Sequence, residues 1–477
     1  MHTPAAAAAL SYASEHLDDS VALLGQFLAI PAISCDPAHA QDLVALAEQI
    51  AAHLRTLGPS QCDLLTMPGA HPCVSASWMQ AGPNAPTILV YGHYDLQPVK
   101  GEAWNTPPHQ ATIVGERLYA RGSADDMGGW VSHLAAVQAW LATQGQLPCN
   151  LRLIIEGEEE FGSGHLEPFM DAHPEAFSAD AMILTDCENP AVDVPGLTVS
   201  LRGVCEMVLR VRALEADGHS GLWGNAVPDV STALMRIVAA LVDEQGRPKF
   251  GLVDWPAEQR QAAVAAPVPD AVVRSGAHLL PGVDPLPDGD RSRGEWLWLQ
   301  PAITVVATTL PTQDRKKNAL RAEATATLSV RTAPNQKAAD LYQVLAKAVA
   351  QVHPGGVLAD LTLLPGAGEG WLYHPQGPAF EAVDRAYEAT WGKPMVQVGI
   401  GGSIPFVALF GRRFAKLPLI LNGVMDPQTT AHGPNESMHL GLFQRAIAAN
   451  TLLYEELSKP GVLEIHGLSP NQSGASR

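Results

Sequence analysis

Apolar and polar positions follow two rhythms along this chain. Residues 88–95 (Ile-Leu-Val-Tyr-Gly-His-Tyr-Asp), 151–156 (Leu-Arg-Leu-Ile-Ile-Glu) and 181–185 are short, nearly continuous apolar runs of the kind that form strands buried on both faces. Between and before them, residues 42–57 repeat apolar side chains at helical spacing and stop at Gly58-Pro59, and residues 129–141 do the same after a glycine-rich turn. Alternating strand and helix patterns predict an α/β unit, a mostly parallel sheet flanked by helices.

From Leu201 the texture changes. Residues 204–211 read as a strand, 227–242 as a long helix, and 324–330 alternate Ala or Thr with apolar residues as a half-exposed strand. Residues 249–293 are rich in Pro and Gly, and we read them as a long irregular segment. After Gly370 the first texture returns, with an amphipathic helix at 378–391, a strand at 417–422 and a closing helix at 440–457. The expected organisation is therefore a sheet domain in two parts, 1–200 and 372–477, interrupted by an inserted α+β domain at 201–371. The polar tail, 467–477, is expected to be disordered.

Composition narrows the function. A length of 477 residues favours more than one core, and 47% hydrophobic with 17% charged residues is a globular balance. A formal net charge of −19 leaves no basic surplus for phosphates, which argues against a nucleic-acid partner. No run approaches the roughly 18 apolar residues of a membrane span. The start of the chain lacks the basic residues and long apolar stretch of a signal peptide, with no Lys or Arg before Arg55. Six cysteines without a spaced framework fit a reducing cytoplasm, and Cys187 reads as a buried thiol rather than a soft metal ligand. No membrane partner is expected.

The candidate chemistry sits where the apolar runs end. His93 and Asp95, two residues apart, can share one side of a strand, as half a metal site or as a capped strand end with a surface histidine. The second run leads into Glu158, Glu159 and Glu160, and the third into Asp186. Asp125 and Asp126 stand in a glycine-flanked turn before a helix, where an N-cap would use one aspartate but not two. His432 follows the last strand. Ligands of open α/β sheets bind beyond the carboxyl ends of the strands, so these groups are expected together. Their mixture of imidazole and carboxylate, with no thiolate, suits a carboxylate-bridged pair of zinc ions.

Taken in order, Tyr-Gly-His-Tyr-Asp-Leu-Gln-Pro, Arg-Gly-Ser-Ala-Asp-Asp, Glu-Gly-Glu-Glu-Glu-Phe-Gly-Ser, Gly218-His219-Ser220-Gly221, Ser329-Val330-Arg331, Gly401-Gly402-Ser403-Ile404-Pro405 and Ala-His-Gly-Pro-Asn-Glu resemble the carnosinase-like branch of the di-zinc metallopeptidases. That family also includes aminoacylases and succinyl-diaminopimelate desuccinylases. The resemblance runs from about residue 20 to 450. It implies a zinc-peptidase catalytic domain with an inserted lid and dimerisation domain, and two Zn2+ per chain, with Mn2+ or Co2+ as possible substitutes. Asp125 would bridge the ions, His93 and Asp186 would complete one site, and Glu160 and His432 the other. Glu159 would be the general base on the bridging water, and Asp95 the carboxylate that orients His93. His219 would reach the oxyanion from the partner subunit of a homodimer. Arg331 and Ser403 would hold the substrate carboxylate, with Asn318 as a further contact. The peptide between Asp125 and Asp126 is expected to be cis.

Three positions depart from the family pattern. Met127-Gly128 replaces Lys-Gly, Leu320-Arg321 replaces Ile-Pro, and Ile400 stands where dipeptidase relatives usually carry Glu. The residues together imply cleavage of a peptide or amide bond next to a free carboxylate, in a dipeptide or short peptide. An N-acyl amino acid is the alternative substrate, because an apolar Ile400 suits a blocked amine. A catalytically silent metal-binding protein is the reading from another class, and it is disfavoured because neither a ligand nor the base is missing.

Overall fold

Both faces of the central sheet are covered, which is why its strands read as continuous apolar runs. The computed structural model describes residues 2–266, 268–352, 356–402 and 404–465. Its main sheet has six strands in the order Gln61–Leu65, Cys73–Trp78, Asn150–Glu156, Thr87–His93, Ala181–Leu184, Leu419–Leu421. The last four are parallel and the first two form an antiparallel edge, so the sheet is mostly parallel as expected.

The period of two assigns each side chain to a core. Ile88, Val90, Leu153, Ile155, Ile183 and Ile420 enter one cluster, shared with the helices Met127–Gln144, Pro378–Trp391 and Leu440–Ser458. Leu89, Tyr91, Ile154, Met182, Leu184 and Leu421 enter the other, with Phe169, Phe406 and Phe410 from the helices Leu166–Ala172 and Pro405–Arg413. Each of these side chains stabilises the fold by about 1.5–3 kcal/mol on burial, so a charge at Val90 would break the sheet at its centre. The helices stop where the backbone turns left-handed, at Gly145 (φ 73°) and Gly392 (φ 67°).

A second, antiparallel sheet has the order Ala302–Thr308, Glu323–Thr332, Gly203–Arg212, Leu358–Leu363. Cys205, Met207, Leu209 and Val211 bury one face under the helices Val230–Leu241 and Ala338–Gln351, while Glu206, Arg210 and Arg212 face solvent.

The structure differs from the sequence-based expectation in places. The helix expected over 227–242 starts only at Val230, because Pro228 precedes it and the Asp229 side chain caps it by accepting from Ser231 N (3.1 Å). Residues 249–293 are not wholly irregular, since Ala257–Ala265 and Asp270–Gly276 are helical. The edge strand Ala302–Thr308 is absent from that expectation, because its β-branched residues fit a strand but exposure of 304–308 on both sides leaves no one-sided pattern. Ser403 and the tail at 467–477 lie outside the described residues. No helix among the described residues is long and apolar enough to cross a membrane. All six cysteines are free.

Candidate metal centre

Register brings the chemistry to one edge of the main sheet. His93 ends its strand opposite Glu156 in the parallel ladder, and Thr185 N donates to Tyr91 O (3.1 Å), so His93 and Asp186 emerge side by side. Asp125 arrives from the turn before the helix Met127–Gln144, Glu160 from the short 3-10 turn Glu159–Phe161, and His432 from the loop after the strand Leu419–Leu421. In that loop Thr430, His432 and Asn435 adopt positive φ, 58°, 60° and 63°.

Two groups of potential ligand atoms result, His93 with Asp125 and Asp186, and Asp125 with Glu160 and His432, each within 4.8 Å. Asp125 is common to both. Its Oδ1 lies 3.3 Å from His93 Nε2 and its Oδ2 3.0 Å from His432 Nε2. His432 Nε2 is also 3.1 Å from Glu160 Oε2, and His93 Nε2 is 3.9 Å from Asp186 Oδ2.

The protonation behaviour is that of a site short of positive charge. Burial raises the Asp186 and Glu159 carboxyls well above their usual range and raises Glu160 too, and the neighbouring carboxylates add to it. Burial acts the same way on Asp125, yet the His432 and His93 imidazoles beside it hold it far below that range. Hydrogen bonds with Asp125 and Glu160 raise His432 to about 11. Crowded carboxylates of this kind are relieved by cations. Two buried atoms of these donor groups, His93 Nε2 and Glu160 Oε1, have no hydrogen-bond partner among the described residues. Imidazole and carboxylate donors with open lone pairs fit divalent ions. The Cys187 thiol is buried and belongs to neither group.

Surrounding residues fix the donors. Asp95 lies beside His93, with its Oδ1 3.4 Å and its backbone O 3.2 Å from His93 Nδ1. Its carboxylate also accepts from Glu159 N (3.1 Å) and Glu160 N (3.0 Å), so one side chain ties the histidine to the glutamate turn. Gln97 Nε2 donates to Glu160 Oε2 at 2.8 Å. The Asp125–Asp126 peptide is cis. Asp126 occupies the N-cap position but makes no capping bond. Its Oδ2 accepts from Thr185 Oγ1 (2.7 Å) and His93 N (3.2 Å) instead. A side chain at Gly129 would place Cβ 2.1 Å from Asp126 Oδ1, so the helix start must be glycine for that aspartate to fit.

The remaining expected residues lie elsewhere. His219 is exposed on a two-residue ladder with Ala319, and Ser220 N donates to Asn318 O (3.0 Å), which makes His219 and Asn318 neighbours. Among the described residues no hydrogen bond or ion pair joins either of them to the carboxylate cluster. Arg331 is half-buried on the strand Glu323–Thr332. Ile400, half-buried, packs its side chain against the second core cluster. The sequence reading passed over Glu436, which is fully buried and accepts from the turn that carries Asp125. The signal for it was an acid closing the Ala-His-Gly-Pro-Asn-Glu segment just before an apolar methionine strand.

Comparison with known proteins agrees with this geometry. The chain is 32% identical over 412 residues to a cysteinylglycine-S-conjugate dipeptidase of Corynebacterium striatum, covering 84% of this chain and 87% of that one. It is 26% identical over 468 residues to a Cys-Gly metallodipeptidase of Schizosaccharomyces pombe, covering 92% and 96%. Its fold matches human carnosine dipeptidase 1 with a TM-score of 0.78 at 22% identity, over 96% of this chain and 99% of that one. The sequence profile of peptidase family M20/M25/M40 matches residues 89–456, and the chain belongs to that family.

Proposed function

We propose that this peptidase is a two-metal dipeptidase that hydrolyses the peptide bond of dipeptides or short peptides with a free C-terminal carboxylate. The observation that carries the reading is the pair of donor groups sharing Asp125, with the Glu159 carboxyl beside them. The names of the relatives, Cys-Gly and cysteinylglycine-conjugate dipeptidases, support the dipeptide class. Zinc is the ion this nitrogen and oxygen set favours, with Mn2+ or Co2+ as substitutes.

In this reading His93 and Asp186 would hold one ion and Glu160 and His432 the other, with Asp125 a donor common to both groups. Two divalent cations supply a polarised scissile carbonyl and a more acidic water. Glu159 takes a proton from the attacking water and gives it to the leaving amine nitrogen as the C–N bond breaks. Asp95 keeps His93 and the Glu159–Glu160 turn in register. Arg331 and Ser403 hold the substrate carboxylate, a task suited to the planar guanidinium fork, and Asn318 is a further substrate contact.

We also propose that residues 201–371 form an inserted lid and dimerisation domain, with 1–200 and 372–477 as the catalytic domain. The supporting feature is the edge of the second sheet. Among the described residues the strand Ala302–Thr308 has one unpaired side, and Val305, Leu234, Met235 and Val238 line an apolar cavity of about 320 Å³ beside it. A second copy would pair that edge and cover the groove. His219 then serves the partner's site, where its imidazole stabilises the oxyanion. Six free cysteines are consistent with a cytoplasmic location.

The test is a panel of free dipeptides beside their N-acetyl counterparts, with metal-loaded protein. Turnover of the free dipeptides is expected. Turnover confined to the acetylated set would favour the N-acyl-amino-acid reading, for which the apolar Ile400 is the motive. No turnover of either, with two ions bound, would refute both.

A further inference from the structure

The loop that carries His432 and the turn that carries Asp125 are far apart in sequence and yet must hold their side chains 3.0 Å apart. One side chain connects them. Glu436, fully buried, accepts from Ala124 N (3.1 Å) and Asp125 N (3.2 Å) on Oε1, and from Gly122 N and Arg121 Nη1 (both 3.0 Å) on Oε2. Its backbone carbonyl accepts from Ala120 N (3.2 Å) as well. The chain leaving it, Ser437–His439, is registered antiparallel to Arg117–Tyr119, the strand that enters the Asp125 turn. Arg121 is itself buried, bonded to Glu102 (3.1 Å) and stacked over Trp104 (5.2 Å to the ring centre).

We propose that Glu436 is a positioning residue that sets the separation of Asp125 and His432, and so closes the cation site formed by Asp125, Glu160 and His432. The chemistry requires a carboxylate. All four groups it meets are donors, and three of them are backbone N–H groups of the turn, one belonging to Asp125 itself. A neutral amide of the same shape would turn its own NH2 towards Gly122 N–H and Arg121, donor against donor. Groups that orient a metal ligand in this way alter ion affinity when they are removed, typically 10- to 100-fold. The inference rests on the reading that the second donor group holds an ion.

Two variants test it. Glu436→Gln removes the charge, and Glu436→Asp keeps the charge facing Arg121 but draws it back by about 1.5 Å, one carbon–carbon bond, so that it cannot reach all four donors. Ion binding to metal-stripped protein is followed by titration calorimetry with Zn2+ or Mn2+, and folding by circular dichroism and Tm. Wild-type protein binding fewer than two ions would defeat the two-metal reading itself, and with it the premise. With two ions on the wild type, both variants are expected to bind the second ion at least about 10-fold more weakly. Wild-type affinity for both ions in either folded variant would overturn the proposal. A lowered Tm with unchanged affinities would show a structural role only, and so would a Glu436→Asp protein that fails to fold.

Discussion

Glu159 and Glu160 are adjacent, half-buried and both acidic, and replacing either should cost turnover while only the loss of Glu160 should cost metal. Glu160 Oε2 lies 3.1 Å from His432 Nε2 inside the Asp125 donor group. Removing it takes away one of three protein donors of that ion, so Glu160→Ala is expected to bind one ion where wild type binds two. Glu159 belongs to neither donor group, and burial together with Glu160, Asp95 and Asp125 raises its carboxyl well above its usual range. Glu159→Gln therefore keeps both ions and relieves part of the repulsion. Without the proton carrier, kcat should fall at least about 100-fold, or about 2.7 kcal/mol at 1.36 kcal/mol per decade. Elemental analysis of each variant after metal loading, with steady-state kinetics on the same samples, reads both quantities. Equal metal loss in the two variants would mean that base and ligand are assigned wrongly, and a Glu159→Gln protein with more than a tenth of wild-type kcat would remove the base role.

Co-expression of Glu159→Ala with His219→Ala, each inactive alone, should restore about a quarter of wild-type activity, since half of randomly paired dimers are mixed and half their sites are complete. Activity that stays at the single-variant level, with mixed dimers demonstrated, would rule out a shared site. Val305→Lys, on the exposed apolar edge strand, should shift the protein to monomer in light scattering and abolish activity; an unchanged dimer places the interface elsewhere. His133, buried against the Tyr454 hydroxyl (2.9 Å), has its pKa pushed down by burial to about 3. A depressed pKa contributes stability that is complete above about pH 6.5 and is lost as pH falls towards 3. Relative to His133→Gln, wild type should lose about 2 kcal/mol between pH 7 and pH 5 in urea denaturation. Parallel stability curves for the two proteins would contradict it.

Residues 88–95, 151–156 and 181–185 were legible as strands because burial on both faces writes an unbroken apolar run, and His93, Glu160 and Asp186 were legible because they close such runs or follow them within a few residues, whereas Asp125 was marked by its paired carboxylates in a glycine-flanked turn. The helix at Pro378–Trp391 had both ends marked, by a proline at its first position and by Gly392 after it. The cis peptide at Asp125 came from resemblance to relatives, since nothing in composition or spacing encodes it. Other features depended on tertiary structure. Residues 304–308 of the edge strand Ala302–Thr308 face solvent on both sides, so it carries no periodic signal, and its neighbour in the sheet is decided by long-range pairing. Asp126 reads locally as an N-cap, yet its side chain turns away from the helix to Thr185 and His93 N, groups that only the sheet register brings near. Nothing local in the sequence marks Glu436 and Arg121 as buried. Burial becomes affordable only because the two meet each other and Glu436 also meets the backbone donors of the Asp125 turn, some 300 residues away in the chain, |i−j| = 312 for Ala124. Local periodicity determines which segments become strands and helices, while the partners of buried polar groups are set by which segments the fold brings side by side.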